Sequence, residues 1–176
     1  MLFRPTPLAG LFVVEMDKHE DERGYFARTF CAGEFAAAGL PVSFAQCNTS
    51  FNMRRGTLRG LHYQADPFPE AKLVRCTRGA IFDVAVDLRP NSPTRCQWFA
   101  LTLTADSAAM LFIPDGFAHG FQTLADASEV FYQMGESYRH DLARGVRWDD
   151  TAFGVEWPIG EPILSPRDAE YPDFVA

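Results

Sequence analysis

Apolar and polar residues alternate with a period of two through the middle of the chain. In "AIFDVAVDL", Phe82, Val84, Val86 and Leu88 share one face, and Ile81, Asp83, Ala85 and Asp87 share the other. In "QWFALTLT", Phe99, Leu101 and Leu103 oppose Trp98, Ala100, Thr102 and Thr104. In "EVFYQM", Val130, Tyr132 and Met134 oppose Glu129, Phe131 and Gln133. Such alternation predicts half-buried strands. "RPNSPT", "TADS", "IPDG" and "LADAS" separate the runs as turns. Several short strands at this spacing point to a sandwich, jelly roll or barrel. Helical signals are few: "AGEFAAAGL" predicts one short helix over 32–38, with Gly39 as its stop. The tail carries Pro158, Pro162, Pro166 and Pro172 and is expected to be an ordered, irregular wrap.

A chain of 176 residues suits one domain, residues 1–176, with a core of its own. Its 16 phenylalanines fit a β-rich interior. The formal net charge of −7 argues against a general nucleic-acid or anionic-membrane binder. The cations are unevenly spread, however. Arg54, Arg55, Arg59, Lys72, Arg75 and Arg78 face only Asp66 and Glu70 between positions 52 and 78. A small anionic ligand would explain this stretch; so would a solvated face. Cys31, Cys47, Cys76 and Cys96 form no CxxC pair, so free thiols in a reducing cytoplasm are expected. The first apolar run is broken by Pro5, Pro7 and Glu15, too soon for a signal peptide or membrane span.

The candidate chemistry lies in "TLRGLHYQADPFPEAKLVRC", which puts Arg59, His62 and Lys72 within twenty residues. Taken alone, His62 in an apolar run is more often a satisfied core histidine. Tyr132 is by default a buried aromatic, and Asp168 a solvated tail carboxylate. Pro114-x-Gly116-x-x-His119 resembles the second metal motif of the cupins. The first motif needs two histidines one residue apart, and His62-Tyr63-Gln64 lacks the second. The pattern therefore supports the cupin fold but not its metal chemistry.

Six segments together carry a specific resemblance: "DERGYF", "QCNTSFNMRRGTLRGLHYQ", "KLVRCTRGAIFDVAVDLRPNSPT", "IPDGFAHGFQTL", "VFY" and "ILSPRDA". In order and spacing they resemble the dTDP-4-dehydrorhamnose 3,5-epimerase family over nearly the whole chain. The resemblance implies a mainly β cupin-type double-stranded β-helix, or jelly roll, with a few short helices. An N-terminal arm and C-terminal tail would wrap the core. It implies a homodimer that uses no metal or organic cofactor. The activity implied is inversion at C3 and C5 of a nucleotide-linked 4-keto-6-deoxyhexose, of the dTDP-4-dehydro-6-deoxyglucose to dTDP-4-dehydro-L-rhamnose type. His62 would be the base, Asp168 its carboxylate partner, Lys72 the cation facing the keto oxygen, and Tyr132 the acid across the ring. Arg59, Asp83, His119 and Tyr138 would line the sugar pocket. Arg23, Phe26, Arg28, Gln46 and Asn48 would hold the nucleotide, with Arg23 and Phe26 reaching across from the partner subunit.

Two features depart from the expected pattern. Arg59 and His62, three apart, face opposite sides of an ideal strand; a bulge at Gly60 or a rim position for Arg59 would reconcile them. Arg28 stands where the family usually has Glu, and Cys47 where it usually has Asp, which bears on nucleotide choice. The other readings compatible with the residues are a mono-epimerase acting at C3 or C5 alone, a keto-isomerase, a metal-dependent cupin enzyme and a non-catalytic sugar-nucleotide module.

Overall fold

The computed structural model describes residues 1–41 and 43–175. Its strands, in chain order, are β1 (Leu2–Pro5), β2 (Phe12–Glu15), β3 (Lys18–Asp21), β4 (Gly24–Ala27), β5 (Gln46–Asn52), β6 (Leu58–Gln64), β7 (Lys72–Arg78), β8 (Ala80–Asp87), β9 (Trp98–Thr104), β10 (Ala109–Ile113), β11 (Phe117–Thr123), β12 (Ser128–Met134) and β13 (Ala143–Gly145). Two short helices complete it, α1 (Ala32–Ala37) and α2 (Pro166–Ala169). The strands form a six-stranded sheet in the order β1-β2-β10-β7-β12-β5, a five-stranded sheet in the order β13-β6-β11-β8-β9, and the separate β3–β4 ribbon. The pairing within each sheet is antiparallel. This is a jelly-roll arrangement, one of those the alternating runs allow and the one the family resemblance implies. Among the described residues no helix is long and apolar enough to cross a membrane.

Three apolar layers hold the sheets. Between them, Val74, Cys76, Leu111 and Val130 from one sheet meet Ile81, Ala85, Leu103 and Phe121 from the other. On the outer face of the six-stranded sheet, Val14, Leu73, Met110 and Phe112 are covered by Phe35 of α1 and by Phe3, Phe30 and Phe44. On the outer face of the five-stranded sheet, Leu61, Val84, Val86 and Ala118 are covered by Val146, Phe153, Val155, Trp157 and Phe174 from the tail. The tail therefore has a packing role, and it corrects the expectation of half-buried strands. Ile81 and Asp83 to Asp87 of β8 are all buried, on both faces. The helix expected over 32–38 forms over Ala32–Ala37, and Gly39 follows at φ +72°, a backbone that glycine adopts without strain.

The β6–β11 pairing decides the site. His62 pairs with His119, but Arg59 pairs with Phe121, so three steps on β6 match two on β11. The extra residue is a bulge at Gly60–Leu61, which brings Arg59 and His62 onto the same pocket. Two glycines make the close approach possible. A Cβ on Gly60 would fall 2.4 Å from the Gly120 Cα, and one on Gly120 would fall 2.7 Å from the Arg59 carbonyl oxygen.

Candidate active site

A cavity of about 310 Å³ opens between the two sheets. The five-stranded sheet contributes Arg59, His62 and Gln64 from β6, His119 and Phe121 from β11, and Arg144 from β13. The six-stranded sheet contributes Asn48 and Ser50 from β5, Lys72 from β7, and Tyr132 and Met134 from β12. Tyr138 borders it from a loop and Arg167 from α2.

His62 Nε2 donates to Asp168 Oδ1 at 2.5 Å. The histidine side chain is 40% exposed and the aspartate 6%. Asp168 owes its place to α2. Ser165 caps this helix, its hydroxyl accepting from the Asp168 amide at 3.1 Å and donating to Asp168 Oδ2 at 2.8 Å. Burial works against the carboxylate charge, but hydrogen bonds from His62 and Ser165 outweigh it and hold the Asp168 pKa below its ordinary value. An ionised carboxylate only accepts hydrogen bonds, so it fixes the proton on Nε2 and leaves the Nδ1 lone pair available. Tyr171 backs the dyad, its ring edge-on to His62 with centroids 5.7 Å apart.

A second pair lies deeper. His119 Nε2 donates to Asp83 Oδ1 at 2.8 Å, and the His119 ring packs edge-on to Tyr132 at 6.0 Å. Asp83 is fully buried behind His119 rather than lining the pocket, a correction to its expected position. β8 pairs directly with β11, and Asp83 is held by the His119 imidazole, which lines the cavity in its place. Burial, reinforced by the Asp83 charge, raises the Tyr132 pKa far above that of an ordinary phenol, so its hydroxyl keeps its proton at neutral pH. Lys72 Nζ donates to the His62 carbonyl oxygen at 3.2 Å and lies 3.2 Å from Glu70 Oε1. Burial lowers the Lys72 pKa, and the Glu70 charge works in the opposite direction. Among the described residues, no three His, Cys, Asp or Glu side chains come together as a metal-binding group.

The family model for dTDP-4-dehydrorhamnose 3,5-epimerase matches residues 5–175. The chain belongs to this family. It is 42% identical to the dTDP-4-dehydrorhamnose 3,5-epimerase of Shigella flexneri over 171 residues, covering 97% of this chain and 94% of the relative. It is 36% identical to a dTDP-4-dehydrorhamnose 3-epimerase of Streptomyces niveus, covering 97% of this chain and 82% of that one. The crystal structure of the Bacillus anthracis dTDP-4-dehydrorhamnose 3,5-epimerase, with TDP and PPi bound, superposes with a TM-score of 0.96 at 38% identity, covering 98% of this chain and 99% of that one.

Of the candidates for this epimerase-family site, the fold gathers His62, Lys72, Tyr132, Arg59, Asn48, His119 and Tyr138 around one cavity, with Asp168 and Asp83 each behind a histidine. Gln46 does not line it; its side-chain oxygen accepts from the Tyr138 amide at 2.8 Å and so fixes the rim. Arg23, Phe26 and Arg28 lie elsewhere in the chain. Arg23 and Phe26 sit on the β3–β4 ribbon, with the Phe26 side exposed and Arg23 paired to Asp21. Arg28 lies 2.7 Å from Glu34 of α1, which also binds the N-terminal ammonium. The sequence reading passed over Glu70, Ser165 and Arg167. For Glu70 only a partial signal existed: in extended chain residues two apart share a side, and Lys72 at the start of β7 follows it by two. For Ser165, the run Ser-Pro-Arg-Asp is a helix start with a cap and a proline at the first position.

Proposed function

We propose that this chain inverts C3 and C5 of dTDP-4-dehydro-6-deoxyglucose, giving dTDP-4-dehydro-L-rhamnose. One observation carries the reading: His62 on one sheet, paired with the Asp168 carboxylate, and a half-buried, protonated tyrosine on the other sheet flank a single cavity, with a buried lysine beside the histidine. C3 and C5 both flank the C4 ketone, so removing either proton gives an enolate. His62 Nδ1 takes the proton, and Asp168 stabilises the imidazolium that forms. Negative charge gathers on the C4 oxygen, where the Lys72 ammonium meets it. Tyr132 returns a proton from the opposite face, and the configuration inverts. Arg59, Arg144 and Arg167 line the same cavity, and their guanidinium groups suit the diphosphate.

The nucleotide end completes itself in a homodimer of single-domain, cytoplasmic subunits. Arg23 and the exposed Phe26 on the ribbon reach the partner's cavity, with Arg28 close to the base. Phe26 is 75% exposed on a two-stranded ribbon, a costly place for a large ring unless something covers it. Mixing tests this: Arg23→Ala and His62→Asn homodimers, each inactive, regain activity on subunit exchange if the ribbon serves the partner's site. A second reading is favoured by the Streptomyces niveus relative, whose name gives inversion at C3 alone. Product analysis separates the two. Reduction of the 4-keto product followed by NMR gives both configurations. Inversion at both carbons supports the main reading, inversion at one supports the second, and no inversion removes both.

A further inference from the structure

We propose that Glu70 is a positioning residue for Lys72: its carboxylate pins the lysine ammonium at the cavity wall and keeps it charged where the enolate oxygen forms. The inference rests on the role given to Lys72 above. Glu70 lies two residues before Lys72, the first residue of β7, and both side chains line the cavity. Ala71 between them turns the other way, into the layer under α1. The lysine and glutamate side chains are only 7% and 9% exposed, 3.2 Å apart. Nζ also donates to the His62 carbonyl oxygen. An ammonium has three donors, so these two contacts leave one for the substrate.

The surroundings make this carboxylate decisive. The titratable groups facing Lys72 are Glu70 itself, His62 from β6, Asp83 from β8, His119 from β11 and Tyr132 from β12. Strands β9 and β10, also packed on β7, carry none. Arg59 and Arg144 add positive charge to the same cavity. Asp83 is engaged by His119. Glu70 is thus the carboxylate in direct contact. Burial favours the neutral amine, and the charge of Glu70 is the largest opposing influence. A neutral amine would be a weak partner for a developing oxyanion.

The test is Glu70→Gln, with kcat measured against pH. Losing an opposite charge at this distance moves a pKa by about one to three units. The alkaline side of the profile should therefore shift to lower pH by that amount while the acid side stays in place. Glu70→Asp should shift less. A purely structural glutamate would instead lower Tm and scale kcat equally at every pH. A second measurement does not use turnover: NMR titration of lysine labelled at Cε, with Lys72 identified by its absence in Lys72→Met. The Lys72 signal should titrate lower in Glu70→Gln, or in Glu70→Asp if the glutamine variant does not fold. An unmoved signal, or an unmoved alkaline limb, overturns the proposal. If wild type is inactive or Lys72→Met keeps full turnover, the role of Lys72 fails instead, and the NMR titration still reports on Glu70.

Discussion

Replacing Asp168 separates two things the carboxylate does for His62, orientation and charge. In Asp168→Asn the amide oxygen can still accept from His62 Nε2, and its NH2 can donate to the Ser165 hydroxyl, now 2.8 Å from the second carboxylate oxygen. The tautomer survives; the charge does not. A hydrogen bond to an ionised group contributes about 1.5–3 kcal/mol against about 0.5–1.5 for a neutral pair. The difference of about 1–2 kcal/mol appears only once His62 has taken the proton, so it belongs to the barrier. At about 1.4 kcal/mol per decade it lowers kcat roughly 5- to 30-fold. Asp168→Ala removes orientation as well and should approach the full loss of about 10²–10⁴ expected for an ineffective general base. Asp168 does not line the cavity, so KM should move little in either variant. The assay is solvent-deuterium incorporation into the sugar, followed by NMR to yield kcat and KM. Wild-type kcat in Asp168→Ala, or a complete loss in a folded Asp168→Asn, would refute the division between orientation and charge.

Gly60→Ala should be costly, because its Cβ would strike the Gly120 backbone and its φ is +133°. Strain at such a φ costs about 1–3 kcal/mol and overpacking a similar amount. A loss of about 3 kcal/mol would lower Tm by roughly 6–12 °C for a domain of this size, and calorimetry at wild-type Tm would contradict it. Asp87 gives an acid-side signature. Burial would raise its pKa, but donors from Arg89, Ser92 and Thr94 outweigh burial and set it to about 2. Its folded pKa is depressed, so its stabilisation is present above about pH 4 and is lost as pH falls toward 2. The shift corresponds to about 2 kcal/mol; Asp87→Asn should lose that amount at pH 7 and flatten the acid limb of a urea-melt series. Turnover should persist after exhaustive chelation, since Asp168 and Asp83 already occupy Nε2 of His62 and His119; activity lost to chelator and restored by a divalent ion would contradict this.

The period-two runs made the core strands legible. "AIFDVAVDL", "QWFALTLT" and "EVFYQM" coincide with β8, β9 and β12. What they could not carry was the second buried face of β8. That depends on Phe153, Val155 and Trp157 folding back from far along the chain, and a local pattern holds no record of such contacts. The site followed a similar rule. His62, Lys72, Tyr132 and Asp168 were readable through the family's ordered motifs, although 106 residues separate His62 from Asp168. The Arg59–His62 phase conflict was visible as a mismatch, and the bulge at Gly60 resolves it. Glu70 escaped because a charge in a loop beside a strand is usually solvated; only the fold shows that this one is enclosed. α2 escaped because a four-residue helix that starts on Pro166 is too short to carry helical periodicity.

The central claim is that one base, His62, serves both carbons, and solvent labelling tests it most directly. Wild-type protein incubated with dTDP-4-dehydro-6-deoxyglucose in deuterium oxide should place deuterium at C3 and at C5, and folded His62→Asn should place it at neither. Label persisting at either carbon in His62→Asn would mean that another group removes that proton, and the account of the dyad would fail.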